Sequence, residues 1–108
     1  TLAQRTPGLT VLLKGARTVV ATRGEPTFLN STGNPGMATG GMGDLLSGVL
    51  GALLAQGVPP HAAAGLAAWL CGRAAERAAQ DSHELAVLPS SAAAQLGRAL
   101  ADLVELRF

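Results

Sequence analysis

TGNPGMATGGMGDLL, Thr32 to Leu46, holds five glycines and a proline and reaches one aspartate immediately before an apolar run. Glycines at 33, 36, 40, 41 and 43 let the backbone enter positive φ and keep side chains away from a close ligand, so main-chain amides become the binding surface. Successive amides in such a turn form an anion nest. A helix opening at the apolar run adds unpaired N–H groups and a partial positive charge. A phosphate oxygen fits that environment, and Gly40, Gly41, Met42 and Gly43 are its candidate anion hole. The same composition also serves a flexible connection that caps a helix. Asp44 would repel a resting phosphate, which makes it a candidate base for proton transfer. Its alternative role is a first-turn acid that complements the helix dipole. Lys14, the only lysine beside seven arginines, ends a predicted strand before Gly15. A compact ammonium suits a phosphate there, or simply a solvent-facing strand end.

Spacing excludes two other phosphate loops. A Walker loop needs a lysine and then serine or threonine after its last glycine, where this chain has Asp44 and Leu45. A dinucleotide fingerprint read from Gly41 and Gly43 needs a third glycine where Leu46 stands. Elsewhere, Cys71 has no second cysteine or histidine at ligand spacing and is expected to be packed. His61, after two prolines, and His83 are expected to be surface or capping residues, and Trp69 a core or interface residue.

These residues need elements to position them. Thr10 to Leu13, Thr18 to Thr22 and Thr27 to Asn30 read as strands, the last two joined as a hairpin through Arg23, Gly24, Glu25 and Pro26. From Asp44, apolar residues recur at helical intervals through Leu54 and stop at Gly57, giving a helix expected to be buried. A second helix is expected from Pro60 to about Ala79, and a third over Ala92 to Leu106. Strands followed by helices point to an α/β or α+β layer.

Composition bounds the rest. With 108 residues, 48% hydrophobic and 14% charged, the chain can bury a core as one domain at most. Its net charge of +1 offers no electrostatic footprint for nucleic acid or an anionic membrane. The Leu45 to Ala55 stretch is too short to cross a bilayer. A single cysteine and no visible signal peptide point to a cytoplasmic location.

Lys14-Gly15-Ala16-Arg17-Thr18 and Asn30-Ser31-Thr32-Gly33-Asn34-Pro35-Gly36-Met37-Ala38-Thr39-Gly40-Gly41-Met42-Gly43-Asp44 resemble the two C-terminal motifs of ADP- or ATP-dependent NAD(P)H-hydrate dehydratases, members of the ribokinase-like superfamily. The terminal Gly-x-Gly-Asp resembles the whole superfamily; NPGMATGG with KGAR upstream resembles the dehydratases. The resemblance implies an α/β fold in which residues 1–108 form the C-terminal part of a single ribokinase-like domain whose N-terminal part lies outside the chain. It implies that Lys14, Gly15, Ala16, Arg17, Thr18 and Gly43 contact the adenine nucleotide, ADP or ATP, and that Asp44 meets the hydroxyl of the substrate, hydrated NADH or NADPH. The activity implied is that of a lyase. Phosphoryl transfer to the hydroxyl and loss of phosphate would restore NADH or NADPH, a repair reaction with ADP as co-substrate; phosphoryl transfer usually recruits Mg2+ to neutralise the phosphates, and no residue is assigned as a metal ligand. A homo-oligomer, a tetramer by family, is implied as well. Methionine at 42, where the family usually has a small residue, keeps the amide and forgoes a hydroxyl contact. The rival readings are a ribokinase-like kinase acting on a vitamin precursor or sugar, and a non-catalytic nucleotide-binding fragment.

Overall fold

The computed structural model describes residues 8–14, 18–33, 41–83 and 87–105. Among these residues three short strands, β1 (Thr10–Leu13), β2 (Val19–Thr22) and β3 (Phe28–Leu29), form an antiparallel sheet in the order β1-β2-β3. The expected strands are all present, with the second and third slightly shorter than their sequence patterns. Register pairs Leu13 with Val19 and Val19 with Leu29. The β2–β3 hairpin turns at Gly24, whose φ of 85° favours glycine.

Four helices follow among the described residues: α1 (Met42–Ala55), α2 (Pro60–Asp81), α3 (Pro89–Ala94) and α4 (Leu96–Glu105). Helix α1 starts two residues before Asp44. Past its end, Gly57 takes a φ of 88°, and its N–H donates to the Leu54 carbonyl at 3.0 Å, tying off the last turn. Helix α2 opens on Pro60, which has no N–H to lose at that position.

The core is built around α2. Ala63, Ala64, Ala67, Ala68, Ala74, Ala75 and Ala78 are buried along it with Leu70 and Cys71. Small side chains let the sheet, α1, α3 and α4 approach the α2 backbone closely, so dispersion contacts accumulate over much of its length. Burial pushes the Cys71 thiol up to about 11, in keeping with a packed and unreactive cysteine.

Two expectations are corrected. Helix α1 is not buried: Leu45 and Val49 pack on the core and Met42 is inside it, but Ser47, Gly48, Gly51 and Leu54 are exposed. Its apolar residues spread around more than one face, and only one face meets α2. The third expected helix is two helices with a break at Gln95. Alanine, glutamine and leucine are good helix formers, so the break is tertiary in origin. It lets Ala92 on α3 and Ala99 on α4 both reach full burial, while Gln95 Nε2 donates to Asp81 Oδ2 at 2.9 Å.

An ionic cluster holds α4 on α2. The Asp102 carboxylate is buried and accepts hydrogen bonds from Arg73 Nε and Arg77 Nε, each at 2.8 Å on Oδ2, and from Arg77 Nη2 on Oδ1. The Arg77 and Arg73 hydrogen bonds hold the Asp102 carboxyl at about 2, against the opposing effect of burial.

Candidate functional site

The α1 N-terminus is shaped by Gly41. Its φ of 96° and ψ of −16° place it in the left-handed region, and its carbonyl accepts the Leu45 N–H at 3.1 Å, the first bond of the helix. A Cβ on Gly41 would stand 2.9 Å from Pro89 Cγ, so glycine is required twice, by conformation and by the packing of α3. The amides of Met42, Gly43 and Asp44 precede the first possible intrahelical acceptor, and among the described residues no side chain caps the helix. They are the backbone donors an anion would use.

Lys14, just past β1, supplies a charge at the same place. Its Nζ lies 3.0 Å from the point where a Cβ on Gly43 would stand. An ammonium beside the positive end of a helix dipole is electrostatically unfavourable unless an anion sits between them. Two residues singled out separately in the sequence, 29 positions apart, are thus adjacent in space. Asp44, the third residue of α1, is exposed in the same turn.

Met42 has a second part to play. Its side chain is buried in the core cluster with Leu70, Ala74 and Ala92, while its amide stays in the first turn. The methionine therefore anchors the helix start where a small residue would leave it less firmly held. Thr18 is half-buried and its carbonyl accepts the Asn30 N–H at 2.9 Å. Gly15, Ala16, Arg17 and Gly40 lie outside the described residues.

Residues to which the sequence reading gave no role of their own hold this region together. Asn30 is 5% exposed; its Nδ2 donates to the Ala68 carbonyl at 3.1 Å and to the Thr32 carbonyl at 3.3 Å. The Thr32 hydroxyl lies 3.0 Å from the Trp69 carbonyl and 3.1 Å from Asn30 Oδ1, and its one proton serves these two acceptors. Gly72 makes room for them: a Cβ there would fall 2.1 Å from Thr32 Oγ1 and 2.7 Å from its carbonyl carbon. The readable signal was a polar pair at a strand end, Asn30 and Thr32, with a glycine inside a helix.

His61 caps no helix and is only partly at the surface. It is half-buried, with Nδ1 2.7 Å from Thr22 Oγ1, which in turn lies 2.8 Å from Thr10 Oγ1. With Phe28, Leu66, Trp69 and Leu103 it lines an open apolar cavity of about 320 Å³. This cavity adjoins the Thr10–Thr22 end of the sheet, whereas Lys14 follows the opposite end of β1. Among the described residues no cluster of histidine, cysteine and acidic side chains could hold a metal, and no helix is long and apolar enough to cross a membrane.

A family model described as NAD(P)H-hydrate dehydratase matches residues 1–98. The chain belongs to the NAD(P)H-hydrate dehydratase family. An ADP-dependent (S)-NAD(P)H-hydrate dehydratase of Neisseria meningitidis is 52% identical over 69 residues, covering 64% of this chain and 23% of that protein. The ADP/ATP-dependent NAD(P)H-hydrate dehydratase of Bacillus subtilis, co-crystallised with ATP and Mg2+, superposes with a TM-score of 0.76 at 33% identity over 85% of this chain and 33% of its own. A ribokinase-like superfamily protein of Enterococcus faecalis superposes with a TM-score of 0.69 at 38% identity, covering 82% of this chain and 30% of its own. The fold is thus the α/β, ribokinase-like one expected of the family. The chain spans a third or less of each of these proteins.

Proposed function

We propose that the protein carrying this chain is an ADP-dependent lyase that converts the 6-hydroxy, hydrated forms of NADH and NADPH back to NADH and NADPH. The observation that carries this reading is the adjacency of Lys14 Nζ to Gly43 at an uncapped helix N-terminus, directly before Asp44. Phosphate oxygens would accept from the Met42 to Asp44 amides, joined by Gly40 and Gly41, and from the ammonium. The nucleotide would continue along Lys14, Gly15, Ala16, Arg17 and Thr18. Asp44 would meet the substrate hydroxyl.

Asp44 then accepts the hydroxyl proton as that oxygen attacks the terminal phosphorus of ADP, and AMP departs. The amides and Lys14 stabilise the charge spreading over the transferred phosphoryl oxygens. In the second half, the C–O bond breaks, phosphate leaves and a ring proton is lost, which restores the double bond. Mg2+ carried on the nucleotide phosphates would supply charge neutralisation; the described residues offer it no cage of their own. Within the same reading, residues 1–108 are the C-terminal part of a single domain, and the protein is a cytoplasmic homo-oligomer that also admits ATP.

The test is a crystal structure of the complete protein with ADP. The terminal phosphate is expected within hydrogen-bond distance of the Met42, Gly43 and Asp44 amides and of Lys14 Nζ. A nucleotide bound elsewhere, with this turn empty, would remove the basis of the assignment.

A further inference from the structure

Both stretches expected to hold the nucleotide converge on one buried residue, the first through its backbone and the second through its side chain. The Asn30 backbone N–H holds the Thr18 carbonyl, the last residue of the Lys14 to Thr18 stretch. Its carboxamide holds Thr32, from which the chain runs into the glycine segment. The same carboxamide and the Thr32 hydroxyl grip the Ala68 and Trp69 carbonyls of α2. The downstream end of the glycine segment is fixed separately, where left-handed Gly41 packs on Pro89 and Met42 enters the core.

We infer that Asn30, Thr32 and Gly72 form a clasp that sets the distance between the nucleotide-holding stretch after β1 and the anion-holding turn at α1, and so act as positioning residues for the site. The inference rests on the nucleotide reading of that site. Three features argue for more than ordinary packing. Asn30 is one of two buried polar or charged residues among those described, and its donors are spent on backbone carbonyls rather than on another side chain. Carbonyls inside a helix already accept an intrahelical bond, so the grip uses their second lone pair and adds nothing the helix needs for itself. Gly72 sits mid-helix, a position where glycine is disfavoured, and the three atoms nearest its missing Cβ all belong to Thr32. Each feature serves the placement of the 30–33 strand exit on α2, and that exit adjoins both stretches of the site.

The clasp is tested in the complete protein with four substitutions and one control, each confirmed as folded by circular dichroism and studied well below its melting temperature. Thr32→Val keeps the shape and removes the hydroxyl. Asn30→Asp keeps the shape and replaces the Nδ2 donor with an oxygen that repels the Ala68 carbonyl. Each is expected to raise the Kd for ADP roughly tenfold, the scale of one or two misplaced hydrogen bonds. Thr32→Ser restores the hydroxyl and should bind ADP within about twofold of wild type. Gly72→Ala, which displaces Thr32, should behave like Thr32→Val. Gly65→Ala on the same helix, where a Cβ meets Phe28 at an ordinary 3.5 Å, should change nothing. Hydrogen exchange at the Asn30 amide, which donates to the Thr18 carbonyl, gives a readout independent of ligand and should accelerate in Thr32→Val but not in Thr32→Ser. A wild-type protein that neither binds ADP nor restores NADPH overturns the function and the clasp together. A wild-type protein that does both, with folded Thr32→Val and Asn30→Asp indistinguishable from it in ADP affinity and exchange, overturns the clasp alone.

Discussion

Gly43 shows how closely a single residue can separate stability from function. A methyl group there would stand 3.0 Å from Lys14 Nζ, the free end of a flexible side chain, so the fold can absorb it by moving the ammonium. Gly43→Ala should therefore leave stability unchanged or raise it by up to about 1 kcal/mol through helix propensity, while ADP affinity falls roughly tenfold as the ammonium leaves its post. Thermal melts and calorimetric titration with ADP check the two halves. Gly41→Val behaves oppositely, since both its φ of 96° and the 2.9 Å approach to Pro89 Cγ penalise a side chain, and its melting temperature should drop. Exposed Ser47, one turn on, should tolerate alanine with no effect on either property. Asp44→Asn should preserve ADP affinity and slow turnover about a hundredfold, the scale of a lost general base. Lys14, Gly43 and Asp44 were legible in the sequence because glycine, lysine and acid carry their chemistry in their types. Asn30, Thr32 and Gly72 were not, because their significance lies in which α2 carbonyls they meet, a contact made across some forty residues of chain.

At the level of elements, strand positions followed from β-branched runs and the two long helices from apolar spacing and proline, since these signals are local. The division at Gln95 was invisible because it answers to α2 rather than to its own residues. The attachment of α4 to α2 depends on Asp102, and its acid response can be worked out. Its folded carboxyl is held at about 2, below the ordinary carboxylate range, by Arg77 and Arg73. The folded state thus favours the ionised form, and the stabilisation is fully present above the unfolded value near 4. It is lost as pH falls through about 2. Melting temperatures between pH 5 and 2 should fall steadily in the wild type. Asp102→Asn should melt lower at neutral pH, with a shallower dependence in that window. Parallel slopes for the two proteins would show that the cluster contributes no linkage.

For the molecule as a whole, the two faces of the sheet differ. Val20 and Phe28 face α2, with Val20 fully buried, while the alternate residues Leu13 and Leu29 are 62% and 59% exposed on either side of Val19. That outer face is apolar, and exposed apolar surface of this kind is prone to association. Residues 1–108 expressed alone should therefore bind a hydrophobic dye and self-associate in sedimentation velocity runs; a dye-silent monomer would contradict this. Relatives more than twice as long carry additional chain that could cover such a face. The central claim concerns the reaction itself, and one assay reaches it most directly. The complete protein is mixed with hydrated NADPH and ADP, and NADPH, AMP and phosphate are measured together. Formation of the three in equal amounts, dependent on ADP and slowed about a hundredfold by Asp44→Asn, is the predicted result. Consumption of nucleotide to give a stable phosphorylated alcohol without NADPH, or no consumption at all, would contradict it.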